Sequence, residues 1–218
     1  MISHPQKAIF VHIPKTAGRA IERVFLCHLG LSLDERAALY LRFKRNHESG
    51  PPNVCHLLAG QYTEFGYVNS EQFNEYYKFS FVRNPWARAV SMYRYMGSEK
   101  YDTFEAYVEN DIARPESEGI AYFVMPQYDY LYDKQGKLLV DFVGRHESLQ
   151  EDFNIVANRL GMQKIKLPVV NQSWLPTELE NRGSAGDPYY YRKYYNKKTR
   201  HTVGEIYQKD IDTFGYSY

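Results

Sequence analysis

The hydrophobic pattern opens with an unbroken apolar run, AIFVHI at residues 8–13. A short continuous run rich in β-branched residues reads as a strand buried on both faces. Pro14 and Gly18 bracket a turn, and Ile21, Val24, Phe25 and Leu29 then recur at helical spacing. The chain therefore begins as strand, loop and helix. Residues 31–45 (LSLDERAALYLRFKR) predict a second helix with a basic end, and 46–53 (NHESGPPN) predict a loop. A second buried strand is KFSFVR, 78–83. Asn84 suits an N-cap and Pro85 a first helical turn, and the helix they open carries Trp86, Ala89, Val90 and Tyr93 on one face. Residues 98–119 are polar and mixed, which predicts a helix with a loop.

Further along, YDKQG (132–136) predicts a turn before a strand at LLVDFV, 138–143. Ser148 with Glu151 has the capping-box spacing, and Leu149, Phe153, Val156, Ala157 and Leu160 follow it at helical period. Gly161 stands where a glycine ends a helix. Residues 168–188 are rich in Pro, Gly, Asn and Ser and predict a long irregular segment, a kind of loop that often carries function. A last helix is expected near 197–214, with Val203, Ile206, Tyr207 and Phe214 on its apolar face. Strands alternating with helices predict an α/β fold, one domain over 1–218, with a central parallel sheet and helices on both faces. Ligands of such sheets bind at the carboxyl ends of the strands.

Composition narrows the function classes. Of 218 residues, 44% are hydrophobic and 24% charged, which is the globular range. A net charge of +1 gives no basic field for nucleic acid or for a membrane surface, so any anion site must be local. Tyr is abundant, with 21 residues, and most are expected to fill half-buried positions. Cys27 and Cys55 have neither metal-ligand spacing nor the pattern of a disulfide framework, so two reduced, buried thiols and no metal are expected. No segment approaches the ~20 apolar residues of a membrane span, and the N-terminal stretch lacks signal-peptide anatomy; a cytoplasmic protein is expected. Oligomeric state is not readable.

HIPKTAGRA (12–20) joins the first strand to the first helix. Unpaired N–H groups and the dipole at a helix N-terminus favour an anion. Gly18 lets the backbone approach it, Lys15 supplies a point charge and Thr16 a hydroxyl donor. The lysine precedes the glycine, so the pattern GxxxxGK[ST] of nucleoside triphosphatases is not met. A plain turn with a solvated lysine is the bland alternative. The second motif is FSFVRNPWARAVSMY (79–93). Where many P-loop nucleotidases end a strand in an acidic residue that helps hold Mg²⁺, this chain has Arg83. An arginine there favours direct anion binding. Ser91 lies about two helical turns on, and Arg88 sits on a neighbouring face. Otherwise Arg83 caps the sheet and Ser91 is a small packing residue.

Taken together, HIPKTAGR and FSFVRNPWARAVS resemble the superfamily of sulfotransferases that use 3′-phosphoadenosine-5′-phosphosulfate (PAPS). The closer resemblance is to the branch of carbohydrate O-sulfotransferases and their bacterial relatives, shared also by residues 127–153 and 207–216. It implies a P-loop-like fold. It also implies that Lys15, Thr16, Ala17, Gly18, Arg19 and Ala20 wrap the 5′-phosphosulfate while Arg83 and Ser91 hold the 3′-phosphate. Many members have Thr-Ser or Thr-Thr where this chain has Arg19-Ala20, an exchange of two hydroxyl donors for one cation. The implied reaction is in-line transfer of SO₃ to a hydroxyl, on a carbohydrate or another acceptor, leaving adenosine-3′,5′-bisphosphate. It needs no metal. Lys15 would stabilise the leaving oxygen, and His56, in NVCHLLAGQYTEFG, would take the acceptor proton. Alternatively His56 packs or caps. His12 is a poorer base because it lies within the strand, and His146 and Glu147 are further candidates. The segment 169–187 would close over the nucleotide, with Asn171 and Ser173 similar to the branch's Asn-x-Ser, and Arg182-Gly183 faintly similar to an Arg-Lys-Gly element. Two rival readings stay open: a kinase or other phosphotransferase using MgATP, and a binding module of the same fold without activity.

Overall fold

A computed structural model of the chain describes residues 1–162, 165–168 and 187–218. Asn171, Ser173, Arg182 and Gly183 lie outside the described residues, as does all of the 169–187 segment except Asp187. In chain order the named elements are β1 (Ile2–Ser3), β2 (Ala8–Val11), α1 (Gly18–His28), α2 (Gln61–Glu64), α3 (Ser70–Glu75), β3 (Tyr77–Val82), α4 (Pro85–Met92), α5 (Phe104–Tyr107), α6 (Glu118–Val124), α7 (Gln127–Leu131), β4 (Phe142–Arg145), α8 (Leu149–Arg159), α9 (Lys197–Ile206) and α10 (Gln208–Phe214). They fall into two compact units, Met1–Val82 with Gln127–Val170 and Arg83–Pro126 with Asn171–Tyr218. No described helix is long and apolar enough to cross a membrane.

The first unit holds a four-stranded sheet in the order β1-β2-β3-β4. β2 pairs in parallel with β3, and β3 with β4, while the two-residue β1 runs antiparallel to β2 at the edge. The protein is thus a mixed α/β fold with a mostly parallel sheet flanked by helices, as the alternating pattern predicts. β2 is buried along its whole length, and β3 from Lys78 onward. On one face, Phe10, Phe79 and Phe81 meet Ile21, Val24 and Phe25 of α1 and Phe153, Val156 and Ala157 of α8. The Phe10 and Phe79 rings stack at 5.1 Å. Each such buried side chain contributes roughly 1.5–3 kcal/mol. On the opposite face Lys78 is kept by hydrogen bonds from its Nζ to the carbonyls of Phe73 and Tyr76 and by an ion pair to Asp141 at 3.0 Å. Gly144 of β4 has no room for a side chain, because a Cβ would come within 2.5 Å of the Phe81 ring.

Four expectations need correction in this unit. Residues 31–45 form no α-helix; only Arg36–Leu39 make a 3₁₀ turn, closed by Tyr40 in the left-handed region (φ 60°). The apolar residues Ala37–Leu41 are contiguous rather than spaced by three and four, so a helix would leave part of them in water. The turn instead buries Leu39 and Leu41. The third parallel strand is Phe142–Arg145, later than predicted. Leu138 bridges back to Tyr132 across the predicted turn, where Asp133 accepts from the N–H groups of Gln135 and Lys137, and this consumes the start of the apolar run. At α8 the Ser148 hydroxyl donates to Asp152 and makes no capping box with Glu151. Gly161 does end that helix, with φ 66° and the Met162 N–H bonded to the carbonyl of Ala157. The cysteines are both free, but Cys27 is exposed and only Cys55 is buried.

The second unit is helical. Its core joins Trp86, Ala89, Val90 and Met92 of α4 to Phe104, Tyr107, Val108, Ile112, Val124, Tyr191, Val203 and Tyr207. α4 starts as expected, with the Asn84 side chain accepting from the N–H groups of Trp86 and Ala87 and proline at the first turn. The predicted C-terminal helix is two, α9 and α10, broken at Tyr207 (φ −102°, ψ 25°). That break lets the Tyr207 hydroxyl donate to the Val124 carbonyl at 2.6 Å with the ring fully buried.

Replacing the N-cap of α4 tests this local reading. Asn84→Ala removes an acceptor for two first-turn N–H groups and should lower unfolding free energy by about 1 kcal/mol, measured by urea denaturation.

Candidate active site

The turn that follows β2 is strained. Lys15 and Ala17 are both left-handed, at φ 67° and 72°, and Thr16 between them is not. L-residues with side chains cost roughly 1–2 kcal/mol in that region, and such outliers gather at functional sites. Where left-handed residues alternate with right-handed ones, successive N–H groups turn toward one side and form an anion-binding nest; two left-handed residues two positions apart suit that arrangement. The 11-residue helix α1 opens directly from this turn. No side chain caps it, and its first turn carries no acidic residue. A helix start of that kind is favourable to an anion. Lys15 and Ala17 are half-buried, Thr16, Gly18 and Ala20 are buried, and Arg19 is exposed.

The turn is braced from behind. The Thr16 hydroxyl donates to the Ile13 carbonyl at 2.9 Å, so it closes the turn rather than facing outward. Gly18 is required by packing: a Cβ there would fall 1.9 Å from Nε2 of His12 and 2.1 and 2.4 Å from its ring carbons. The His12 ring stacks on Phe10 at 5.4 Å and pairs through Nδ1 with Glu22 of α1 at 2.7 Å. Both side chains are largely buried, 7% and 15% exposed. Burial alone would raise the Glu22 carboxyl, but the contact with His12 outweighs it and holds the group below the ordinary carboxylate value.

His56 joins the same cluster. It ends a short 3₁₀ turn, Val54–His56, and its ring lies 4.6 Å from that of His12. Its Nδ1 meets the His12 carbonyl at 2.9 Å, which makes Nδ1 the protonated nitrogen and leaves Nε2 as the acceptor. Burial and then the neighbouring His12 push its pKa down to about 3. His56 is thus neutral and weakly basic, with the lone pair on Nε2. His12, Cys55 and His56 also bring ligand-type atoms within 4.8 Å of one another, a grouping that sequence spacing did not suggest. Two imidazoles and a thiol suit zinc in type, but the bound is looser than the roughly 3.5 Å edge of a tetrahedral zinc site. Burial also raises the Cys55 thiol and resists the thiolate such a site needs. Hydrogen bonding accounts for both imidazole Nδ1 atoms without an ion.

The second motif lies in the second unit and is described by itself. Arg83 follows β3, is half-buried and donates from Nη2 to the Tyr190 hydroxyl at 3.3 Å. Ser91 is half-buried on α4. Arg88 has a structural role. Only 1% exposed, it donates to the carbonyls of Met125 and Phe123 at 2.9 and 3.0 Å and lies over the Tyr207 ring. His146 begins a short 3₁₀ turn after β4, with Glu147 next to it.

Sequence reasoning passed over Glu22. It stands one helical turn after Gly18 on the same side of α1, beside the apolar positions Ile21 and Phe25. An acidic residue on the buried side of an amphipathic helix was the available signal.

A model of the Sulfotransferase family matches residues 1–217. A protein of Archaeoglobus fulgidus described only as uncharacterized is 30% identical to this chain over 100 residues, which cover 44% of this chain and 76% of that protein.

The depressed His56 value makes a prediction with a definite sign. Its folded pKa, about 3, lies below its ordinary 6.5, so the unfolded chain binds the proton more tightly. The His56 contribution to stability should be full above pH 6.5 and fall as pH drops toward 3, while the buried Met1 amine, lowered from 8.0 to about 6, adds a separate slope between those two values. Glu22, also lowered, responds only below its ordinary 4.5. Denaturant titrations should therefore show the slope between pH 6.5 and 4.5 weakening in His56→Asn.

Proposed function

Because the chain belongs to the sulfotransferase family, we propose that it transfers a sulfuryl group from PAPS to a hydroxyl, on a carbohydrate, and that its two units work as one catalytic domain over 1–218 in the cytoplasm. The observation that carries the reading is the uncapped N-terminus of α1 behind a strained turn holding Lys15. In this reading residues 15–20 take the 5′-phosphosulfate, with loop N–H groups as donors and Arg19 exposed at the rim. Arg83 and Ser91 take the 3′-phosphate, the Tyr190 hydroxyl steadying the guanidinium. The bond between sulfur and the bridging phosphate oxygen breaks as the acceptor oxygen bonds to sulfur. Lys15 stabilises the charge that builds on the departing phosphate oxygen. Nε2 of His56 takes the acceptor proton. A base of such low pKa is suited to receiving the proton late, once the oxygen has bonded to sulfur and turned acidic. Positioning and charge stabilisation supply the rate, so no divalent ion enters the transfer.

A phosphotransferase reading would have MgATP as donor. Arg83, standing where an acidic metal ligand is expected, favours direct anion binding instead. Thermal-shift assays should show stabilisation by adenosine-3′,5′-bisphosphate without Mg²⁺; stabilisation by MgATP alone would defeat the assignment. Labelled-sulfate transfer across a glycan panel should reveal an acceptor. Lys15→Ala should abolish transfer there, and unchanged turnover would refute its role. His56→Ala should lower kcat roughly 10²–10⁴-fold with donor affinity kept; a wild-type rate would point to another base.

A further inference from the structure

We propose that Glu22 is a positioning residue for the donor loop: its carboxylate clamps the His12 imidazole against Gly18 and so holds residues 12–18 in the strained shape that presents the N–H groups at the start of α1 to an anion.

This inference rests on the reading of that loop as the phosphosulfate site. Three elements converge on His12. The residue follows β2 directly. Its Nδ1 meets Glu22 Oε1 at 2.7 Å, which ties the loop's first residue to the second turn of α1 beyond the loop. Its carbonyl accepts from His56 at 2.9 Å, which ties it to the turn that ends in the proposed base. The clamp thus spans the very residues, Lys15 and Ala17, that pay for left-handed backbone. Strain of that kind persists only while the surroundings over-determine it. With the clamp gone, the loop can relax toward ordinary backbone, and pre-organised donors are lost before the fold is. Burial makes the clamp stiff: both side chains are largely withdrawn from water, where a charge-assisted hydrogen bond is strong and its loss leaves a partner stranded.

The ring also explains the glycine. His12 occupies the space that any Cβ at residue 18 would need. Holding the ring in place therefore fixes the distance between the strand end and the start of α1. The Glu22 carboxylate, one turn along the helix, receives Nδ1–H and is buried with it.

Calorimetric titration with adenosine-3′,5′-bisphosphate, alongside single-turnover transfer, tests the assignment on folded protein well below its melting temperature. Glu22→Ala should weaken the bisphosphate Kd by roughly tenfold or more and lower kcat, with acceptor KM unchanged. Glu22→Gln keeps an acceptor for Nδ1–H and should stay within about threefold of wild type. Val156→Ala removes core volume from the same unit without touching the loop; it should lower the melting temperature and leave Kd alone. If Glu22→Ala does not fold, Glu22→Asp, whose carboxylate falls about 1.5 Å short, takes its place with the same expected loss. Wild-type Kd and kcat in the Ala or Asp variant would overturn the clamp. So would equal losses in the Val156 variant, since Glu22 would then matter only for stability. If the wild-type protein itself binds no bisphosphate, the functional reading of the loop falls, and the clamp with it.

Discussion

Strands β2 and β3 pair in parallel with both faces covered, and a strand in that position has no solvent side on which to carry chemistry. Alternate residues go to one face or the other, and both faces are core. Charged and hydrogen-bonding groups are displaced to the point where β2 stops. The segment from His12 to Gly18 is where the chain leaves the sheet and where a helix begins. Its geometry, two left-handed residues and an uncapped helix start, follows from having to leave a buried strand and enter a helix within a few residues.

That turn is stabilised from within the protein, not from solvent. The Thr16 hydroxyl closes it, the His12 ring fills the space beside Gly18, and Glu22 anchors the ring. The polar atoms of this bracing point inward and are satisfied there. Among the described residues no side chain caps the positive end of α1. A helix dipole with no side-chain cap and no acidic first turn is a standing field of about half an elementary charge, and Lys15 adds a whole one nearby in sequence. The net charge of +1 over the chain conceals this local concentration.

The second motif shows how residue type underdetermines role. Arg83 and Arg88 stand five positions apart at the start of one helix. Arg88 is sealed in the core, its fork spent on two carbonyls and its face on Tyr207, so its charge stabilises packing. Arg83 stays partly open, with the Tyr190 hydroxyl 3.3 Å from its Nη2.

Much of this was legible in the amino-acid sequence because it depends on local physics. A continuous apolar run makes a buried strand wherever it sits, Asn-Pro starts a helix, and Gly161 ends one. What the sequence could not settle depended on partners distant along the chain. Residues 31–45 had the composition of a helix, yet burying Leu39 and Leu41 favoured a turn. The third strand shifted because Leu138 found Tyr132. Most of all, the meeting of His12, Glu22 and His56 was not legible: His56 stood out as a candidate base and His12 as a poorer one, but Glu22 drew no notice and the contacts among the three appear only in the fold. An imidazole's tautomer, basicity and function are decided by the groups within hydrogen-bond reach of it, and only the folded chain chooses those.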